Sequence, residues 1–249
     1  MYEEHSLFKS PENPDQLIWR YMDFTKFVDM LHNSSLYFTR ADCFEDIFEG
    51  SLTHLSKEFI EKRIIEMKNR NIFPETFDAE LIRTITPARN EKAINCWHMN
   101  DFESAAMWKL YLQSNEGIAI QSTFSKLKKV VTESDLIVLI GTVNYIDYDK
   151  EVINPFNGFN SFLHKRKSFE HEKELRVILW DKMKTNKDLV DLSNKTGCHI
   201  KIPLEELIEN VYVSPNSPVW FTNLVEEITL KYGISRKVIN SRLNDKPIF

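Results

Sequence analysis

The run of large apolar side chains from Leu17 to Tyr21, broken only by Arg20, predicts a strand. Phe24, Phe27, Val28 and Leu31 then recur at helical spacing, predicting a short helix that stops near His32-Asn33. A second strand is predicted over Leu36-Tyr37-Phe38-Thr39. It leads into a loop from Arg40 to Gly50 that carries the carboxylates Asp42, Glu45, Asp46 and Glu49 between Phe44 and Phe48. From 52 to 90 the apolar residues Leu52, Leu55 and Phe59, then Ile60, Ile64 and Met67, fall on helical stripes. Pro74 interrupts them and a second helix is expected over Ala79 to Thr86, so this stretch reads as a helical insertion over the core.

Further strands are expected at Ala93 to His98, at Ile118 to Gln121 and, as one long apolar strand, at Leu136 to Tyr145. Ser104 is placed to cap a helix running to Leu112. Phe162 to Phe169 reads as a basic connection, Glu172 to Trp180 as a strand, and Ile200 to Ile202 and Val211 to Val213 as two more. A closing helix shows Phe221, Leu224, Val225, Ile228 and Tyr232 on one face. Strands and helices alternate irregularly, and with six glycines there is no glycine-rich strand-to-helix turn to hold a dinucleotide. The expected class is α+β: a mixed, largely antiparallel central sheet flanked by helices, in a single domain over 1–249.

Composition narrows the setting. Hydrophobic residues make up 42% of the chain, with 17 Phe, 8 Tyr and 5 Trp, enough for an aromatic-rich core and too many for a disordered chain. The net charge of −5 argues against a surface that binds nucleic acid or anionic lipid globally, leaving only a local basic patch for such a partner. Cys43, Cys96 and Cys198 are odd in number and lack a C-x-x-C pair, as a reducing compartment tolerates. No segment reads as a signal peptide or approaches the about 18 apolar residues of a membrane span, so a cytoplasmic protein without membrane contact is expected.

The sharpest local pattern is Glu172-Lys173-Glu174-Leu175-Arg176-Val177-Ile178-Leu179-Trp180. On a strand, Glu172, Glu174 and Arg176 share a face that turns apolar at Ile178 and Trp180, as in a strand that enters a cleft. Two carboxylates about 7 Å apart at Cα suit glycosidic chemistry, in which one stabilises an oxocarbenium-like transition state and the other orients the nucleophile. A surface ion pair of Glu174 with Arg176 is the plainer alternative. A metal site is disfavoured, because His171 would point to the other face and no further ligand completes the set. Trp108 and Tyr111 share one helix face, either as core or as a ligand platform. His164-Lys165-Arg166-Lys167 could hold a pyrophosphate or a polynucleotide backbone, or form a solvated turn. Arg20, amid Leu17, Ile18 and Trp19, needs a partner if buried, and Arg40 closes the second strand.

Taken in order, Trp19-Arg20-Tyr21, Leu36 to Arg40, Phe44 to Gly50, Met107 to Tyr111 with Gly117 to Ile120, and Glu170 to Arg176 resemble the motifs of the bacterial family known as domain of unknown function 2971. Glu45 and Ile47 stand where that family's loop usually has Asn and Pro, Lys109 and Leu110 where it has Ser and His, and Leu175 where it has Trp. The order is also similar to that of ADP-ribosyltransferases, which implies a split sheet and NAD as cofactor. The resemblance gives Glu174 the nicotinamide ribose and Glu172 the acceptor. It places Arg20, Tyr21, Tyr37, Arg40, Trp108, Tyr111 and Arg176 in cofactor binding. It further implies a toxin or phage-defence effector that modifies RNA, DNA or protein, with an antitoxin as partner. Two other readings stay open: a metal-dependent nucleic-acid-processing enzyme using Glu172 and Glu174, and a non-catalytic adaptor presenting the acidic loop to a protein.

Overall fold

The computed structural model describes residues 5–70, 88–111, 116–183, 186 and 189–248. The chain opens with β1 (Leu17–Asp23), α1 (Phe24–Asn33) and β2 (Ser35–Arg40). Asp23 accepts a hydrogen bond from the Lys26 amide to start α1, and Ser34 in the left-handed region (φ 45°) ends it. After the acidic loop comes α2 (His54–Asn69), capped by Thr53. The hydroxyls of Thr53 and Ser56 donate to the Glu151 and Ile153 carbonyls and fasten the start of α2 to the body. The helix expected over Ala79 to Thr86 lies outside the described residues.

There follow β3 (Lys92–Met99), α3 (Ala105–Tyr111), β4 (Gly117–Thr123), α4 (Phe124–Thr132), β5 (Val138–Thr142), β6 (Asn144–Ile146), β7 (His164–Arg166) and β8 (Glu174–Trp180). The chain closes with β9 (Gly197–Lys201), α5 (Leu204–Leu207), β10 (Asn210–Val213), α6 (Val219–Lys231) and β11 (Lys237–Asn240). Among the described residues nine strands form the main sheet in the order β11-β10-β4-β1-β3-β2-β9, with β8 against β3 and β5 against β8. All its pairings are antiparallel except β10 with β11, while β6 and β7 form a separate parallel pair. The fold is therefore α+β with a mixed, mostly antiparallel sheet, as expected.

Two local expectations are corrected. Leu136 to Tyr145 is not one strand: β5 ends at Thr142 against β8, the Val143 amide donates to the Glu174 carbonyl, and β6 leaves to pair with β7. The basic connection contains β7, followed by a 3-10 stretch from Lys167 to Glu172.

Side-chain alternation splits the core into two faces. Ile18 and Met22 of β1, Ala93 and Trp97 of β3, and Leu175, Val177 and Leu179 of β8 pack with α1, α4 and α6. On the opposite face Ile94 and Ile178 meet Phe8, Phe159 and Phe162, while Trp19 and Tyr21 meet Met107 and Trp108 of α3.

The sheet divides at β3. One edge of β3 pairs with β8 along Lys92 to His98. The other edge is shared: β1 takes His98 and Met99, and β2 takes Ala93 and Ile94. Among the described residues Asn95, Cys96 and Trp97 therefore have no strand partner on that edge, and side chains replace the missing ladder. Arg20 donates to the Cys96 carbonyl (3.1 Å) and the Tyr37 carbonyl (3.4 Å), and Asn95 Nδ2 donates to the Tyr37 carbonyl (2.8 Å).

Candidate functional site

The gap between β1 and β2 opens into a cavity of about 620 Å³, a size that suits a small-molecule ligand. It passes through the sheet. Arg20 shares the α1 face with Ile18 and Met22, whereas Tyr21, Cys96, His98 and Glu174 lie on the opposite face, and all of them line the cavity together with Tyr37, Tyr111, Lys165, Glu172 and His199.

Glu174 opens β8 opposite His98 of β3, and its amide donates to the Tyr145 hydroxyl at 2.8 Å. Its carboxylate is held on both sides, Oε1 by Lys165 Nζ (2.6 Å) and Oε2 by Arg176 Nε (2.6 Å). Arg176, fully buried, also donates to both oxygens of Glu49 (2.5 and 3.0 Å) and to the Phe162 carbonyl. Lys165 Nζ reaches Glu172 Oε2 at 2.5 Å. The cluster thus holds three carboxylates, Glu49, Glu172 and Glu174, against two cations, Lys165 and Arg176.

That imbalance sets the protonation states. Burial pushes the Glu174 carboxyl up, but Arg176, a hydrogen bond with Glu172 and the charge of Lys165 outweigh it and hold the group well below the carboxylate range. Burial also pushes Glu172 up, and here the neighbouring Glu174 adds to it against the opposition of Lys165, raising the group to about 8. Two carboxyl groups are driven apart in this way: Glu174 stays ionised and Glu172 retains a proton near neutrality. With Glu172 neutral, the two remaining carboxylates match the two cations.

The route to this arrangement differs from the expected one. Glu172 is not on the strand: it ends the 3-10 stretch, and Lys173 in the left-handed region (φ 41°) turns the chain before Glu174 begins β8. The two carboxylates meet through Lys165 rather than through strand alternation. Lys165 also occupies the position between them where a divalent ion would bridge, which disfavours the metal-dependent reading.

Of the residues expected to bind cofactor, Arg20, Tyr21, Tyr37 and Tyr111 line the cavity and three do not. Trp108 is buried against Tyr21 with its indole N–H on Glu103, because its helix face turns toward the sheet. Arg40 points away, donating to Asp42 and the Leu192 carbonyl. Arg176 lies beneath the cavity, where it positions Glu174. The basic run does not act as one patch either. Lys165 turns inward, His164 bonds the Asn160 carbonyl, and Arg166 bonds Asp46 and stacks on Phe48 at 4.4 Å, while Lys167 is exposed. The acidic loop is likewise spent internally, Asp42 on Arg40, Asp46 on Arg166 and Glu49 on Arg176.

Arg20 has no carboxylate within ion-pair distance among the described residues, and burial lowers its pKa. Its charge faces the cavity with two carbonyls as its only hydrogen-bond acceptors among those residues. Sequence reasoning missed Lys165 as a member of the carboxylate cluster, Glu49 as the anchor of Arg176, and His98. The alternation of His98 with Cys96 on a predicted strand was the available signal for the last of these.

No family model matches the chain, and no curated protein matches it in sequence. Among the described residues no helix is long and apolar enough to cross a membrane.

Proposed function

We propose that the chain is an NAD-consuming enzyme of the ADP-ribosyltransferase type, breaking the bond between nicotinamide and ribose and passing the ADP-ribosyl group to an acceptor. The reading rests on Glu174, an ionised carboxylate at the start of a late strand that faces a cavity in a split sheet. Arg20 and the rings of Tyr21, Tyr37 and Tyr111 line the same cavity. A fixed negative charge beside ribose C1 stabilises the cation that develops as nicotinamide leaves, and it acts most strongly where water is displaced. Arg176 and Lys165 hold that carboxylate in one orientation, so little reorganisation is needed at the moment of reaction. Arg20 supplies the unmatched positive charge that an anionic pyrophosphate or carboxylate would meet.

The order of motifs similar to ADP-ribosyltransferases supports NAD as the substrate. By the same resemblance RNA, DNA and protein are the macromolecular acceptors such an enzyme would take, and a role as a toxin or defence effector in the cytoplasm, with an antitoxin as partner, is what the resemblance supports. The adaptor reading has less support, because three of the carboxylates it would present are tied to arginines of the same chain. The test is nicotinamide release from NAD by the purified protein, compared with Glu174→Gln. Loss of release in the variant is expected, and equal activity would remove the proposal.

A further inference from the structure

His98 is buried to 3% exposure, lines the cavity and is the cross-strand partner of Glu174, so the two side chains project from the same face of the sheet. Its Nδ1 lies 2.6 Å from the backbone carbonyl of Glu172. A carbonyl only accepts, so Nδ1 carries the proton and Nε2 is left with a lone pair. That Nε2 is buried and, among the described residues, has no hydrogen-bond partner. A buried acceptor without a donor is costly, and such groups cluster where a ligand or a reacting group completes them.

We infer that His98 Nε2 is the general base of the reaction and that the nucleophile it serves is water held inside the cavity. The inference rests on the NAD-consuming reading above and names its acceptor. The oxygen of that water bonds to ribose C1 as the bond from C1 to the nicotinamide nitrogen breaks. The electron pair of the broken bond neutralises the pyridinium, and the water proton passes to Nε2. His98 then returns the proton to solvent, leaving nicotinamide, ADP-ribose and one proton. A macromolecular acceptor fits less well, since His98 is only 3% exposed and stands edge to ring with Tyr21 at 6.2 Å between centroids, which leaves room for a small nucleophile rather than a bulky one.

The charges around the ring suit a base. Burial lowers the His98 pKa, Lys173 and His171 lower it further, and the bond to the Glu172 carbonyl opposes them, so the ring is neutral at neutral pH. Among the described residues the ionisable groups that line the cavity with it are Glu172 and Glu174 with Lys165 between them, Arg20, Tyr21, Tyr37, Cys96, Tyr111, and, from α1 and β9, Lys26, Asp29 and His199.

The test uses the full chain with NAD and follows nicotinamide, free ADP-ribose and macromolecule-bound label across pH. Wild type should form free ADP-ribose in step with nicotinamide, with kcat falling on the acid side as His98 gains a proton. His98→Asn places an amide near Nδ1 and removes the base, so kcat should drop roughly 100-fold, the acid limb should vanish and NAD should still raise Tm. An unchanged kcat and pH profile in His98→Asn would overturn the assignment of the base, and label found on macromolecule instead of free ADP-ribose would overturn water as the acceptor. Should the variant not fold, nitrogen NMR of the wild-type imidazole decides, and a proton on Nε2 would overturn the inference. Failure of the underlying reading looks different: wild type releases no nicotinamide and NAD leaves Tm unmoved.

Discussion

Arg176 holds Glu49 by a two-pronged contact, Nη1 to Oε1 at 2.5 Å and Nη2 to Oε2 at 3.0 Å, with both side chains at most 1% exposed. The pair fastens the acidic loop to β8 across 127 positions of sequence. A buried pair adds little net stability over a well-packed apolar substitute, but removal of one partner leaves the other charge uncompensated in a low dielectric. Glu49→Ala is expected to lower the unfolding free energy by about 3–5 kcal/mol, read from urea titration. It should also free Arg176 to swing and so loosen Glu174. A loss no larger than that of an exposed ion pair would mean that Arg176 is satisfied by Glu174 and the Phe162 carbonyl alone.

The excess carboxylate of the cluster makes stability depend on pH in a fixed direction. Glu172 has its folded pKa raised to about 8, above its value in the unfolded chain. The folded protein therefore binds more protons than the unfolded one between the two values. The stabilisation from the protonated carboxyl is complete below the unfolded pKa and is lost as pH rises through about 8. Glu172→Gln mimics the protonated form. Its Tm should equal that of wild type in mild acid and exceed it by a few degrees in mild alkali, measured calorimetrically at both pH values. The opposite order would show that Glu172 is ionised at neutrality.

Among the described residues Arg20 has no carboxylate partner in the cavity, and it also closes the split of the sheet through the Cys96 and Tyr37 carbonyls. Arg20→Met keeps most of the volume and removes the charge. Loss of one charge-assisted contact of about 1.5 kcal/mol corresponds to roughly tenfold weaker binding. A reduced NAD-induced rise in Tm is expected at subsaturating NAD. A full rise in the variant would place the anionic part of the ligand elsewhere.

Much of the scaffold was legible because it follows from local pattern. β1, β2, β3 and β8 follow runs rich in large apolar residues, and α1 follows the spacing of Phe24, Phe27, Val28 and Leu31. Helix α4 was missed although Thr123 caps it and Phe124, Leu127, Val130 and Val131 form its buried stripe, because the lysines between them dilute the apolar signal. The candidate site was legible only in part. Glu174 stood out, but its neighbours come from distant segments. β7 is three residues long, too short for its alternation to be told from a polar turn, so Lys165 read as part of an anion-binding run or a solvated turn when it is buried between two glutamates. Lys173 adopts a left-handed backbone that only glycine would have signalled, and that one residue moved Glu172 off the strand. Tertiary context overrode local preference at these positions.

Gly197 tests how far the cavity depends on the edge of the sheet. It pairs with Thr39 of β2, and a Cβ added there would collide with the Phe38 carbonyl oxygen and lie 2.7 Å from the Tyr37 hydroxyl. The carbonyl is backbone and has no easy retreat, so Gly197→Ala must push β9 from β2 or displace Tyr37, which lines the cavity. Overpacking of this kind costs about 1–3 kcal/mol, and in a chain of this size each kcal/mol lowers Tm by roughly 2–4 °C. Gly158→Ala is the matched control, since nothing lies within 4 Å of its added Cβ, and it should leave Tm unchanged or slightly raised by the stiffer unfolded chain. Comparing the NAD response of the two variants separates edge from ligand. If Gly197→Ala melts early yet retains the wild-type shift with NAD, Tyr37 holds the edge strand and contributes nothing to the ligand. If the shift is lost beyond what the lower Tm explains, the ring belongs to the binding surface.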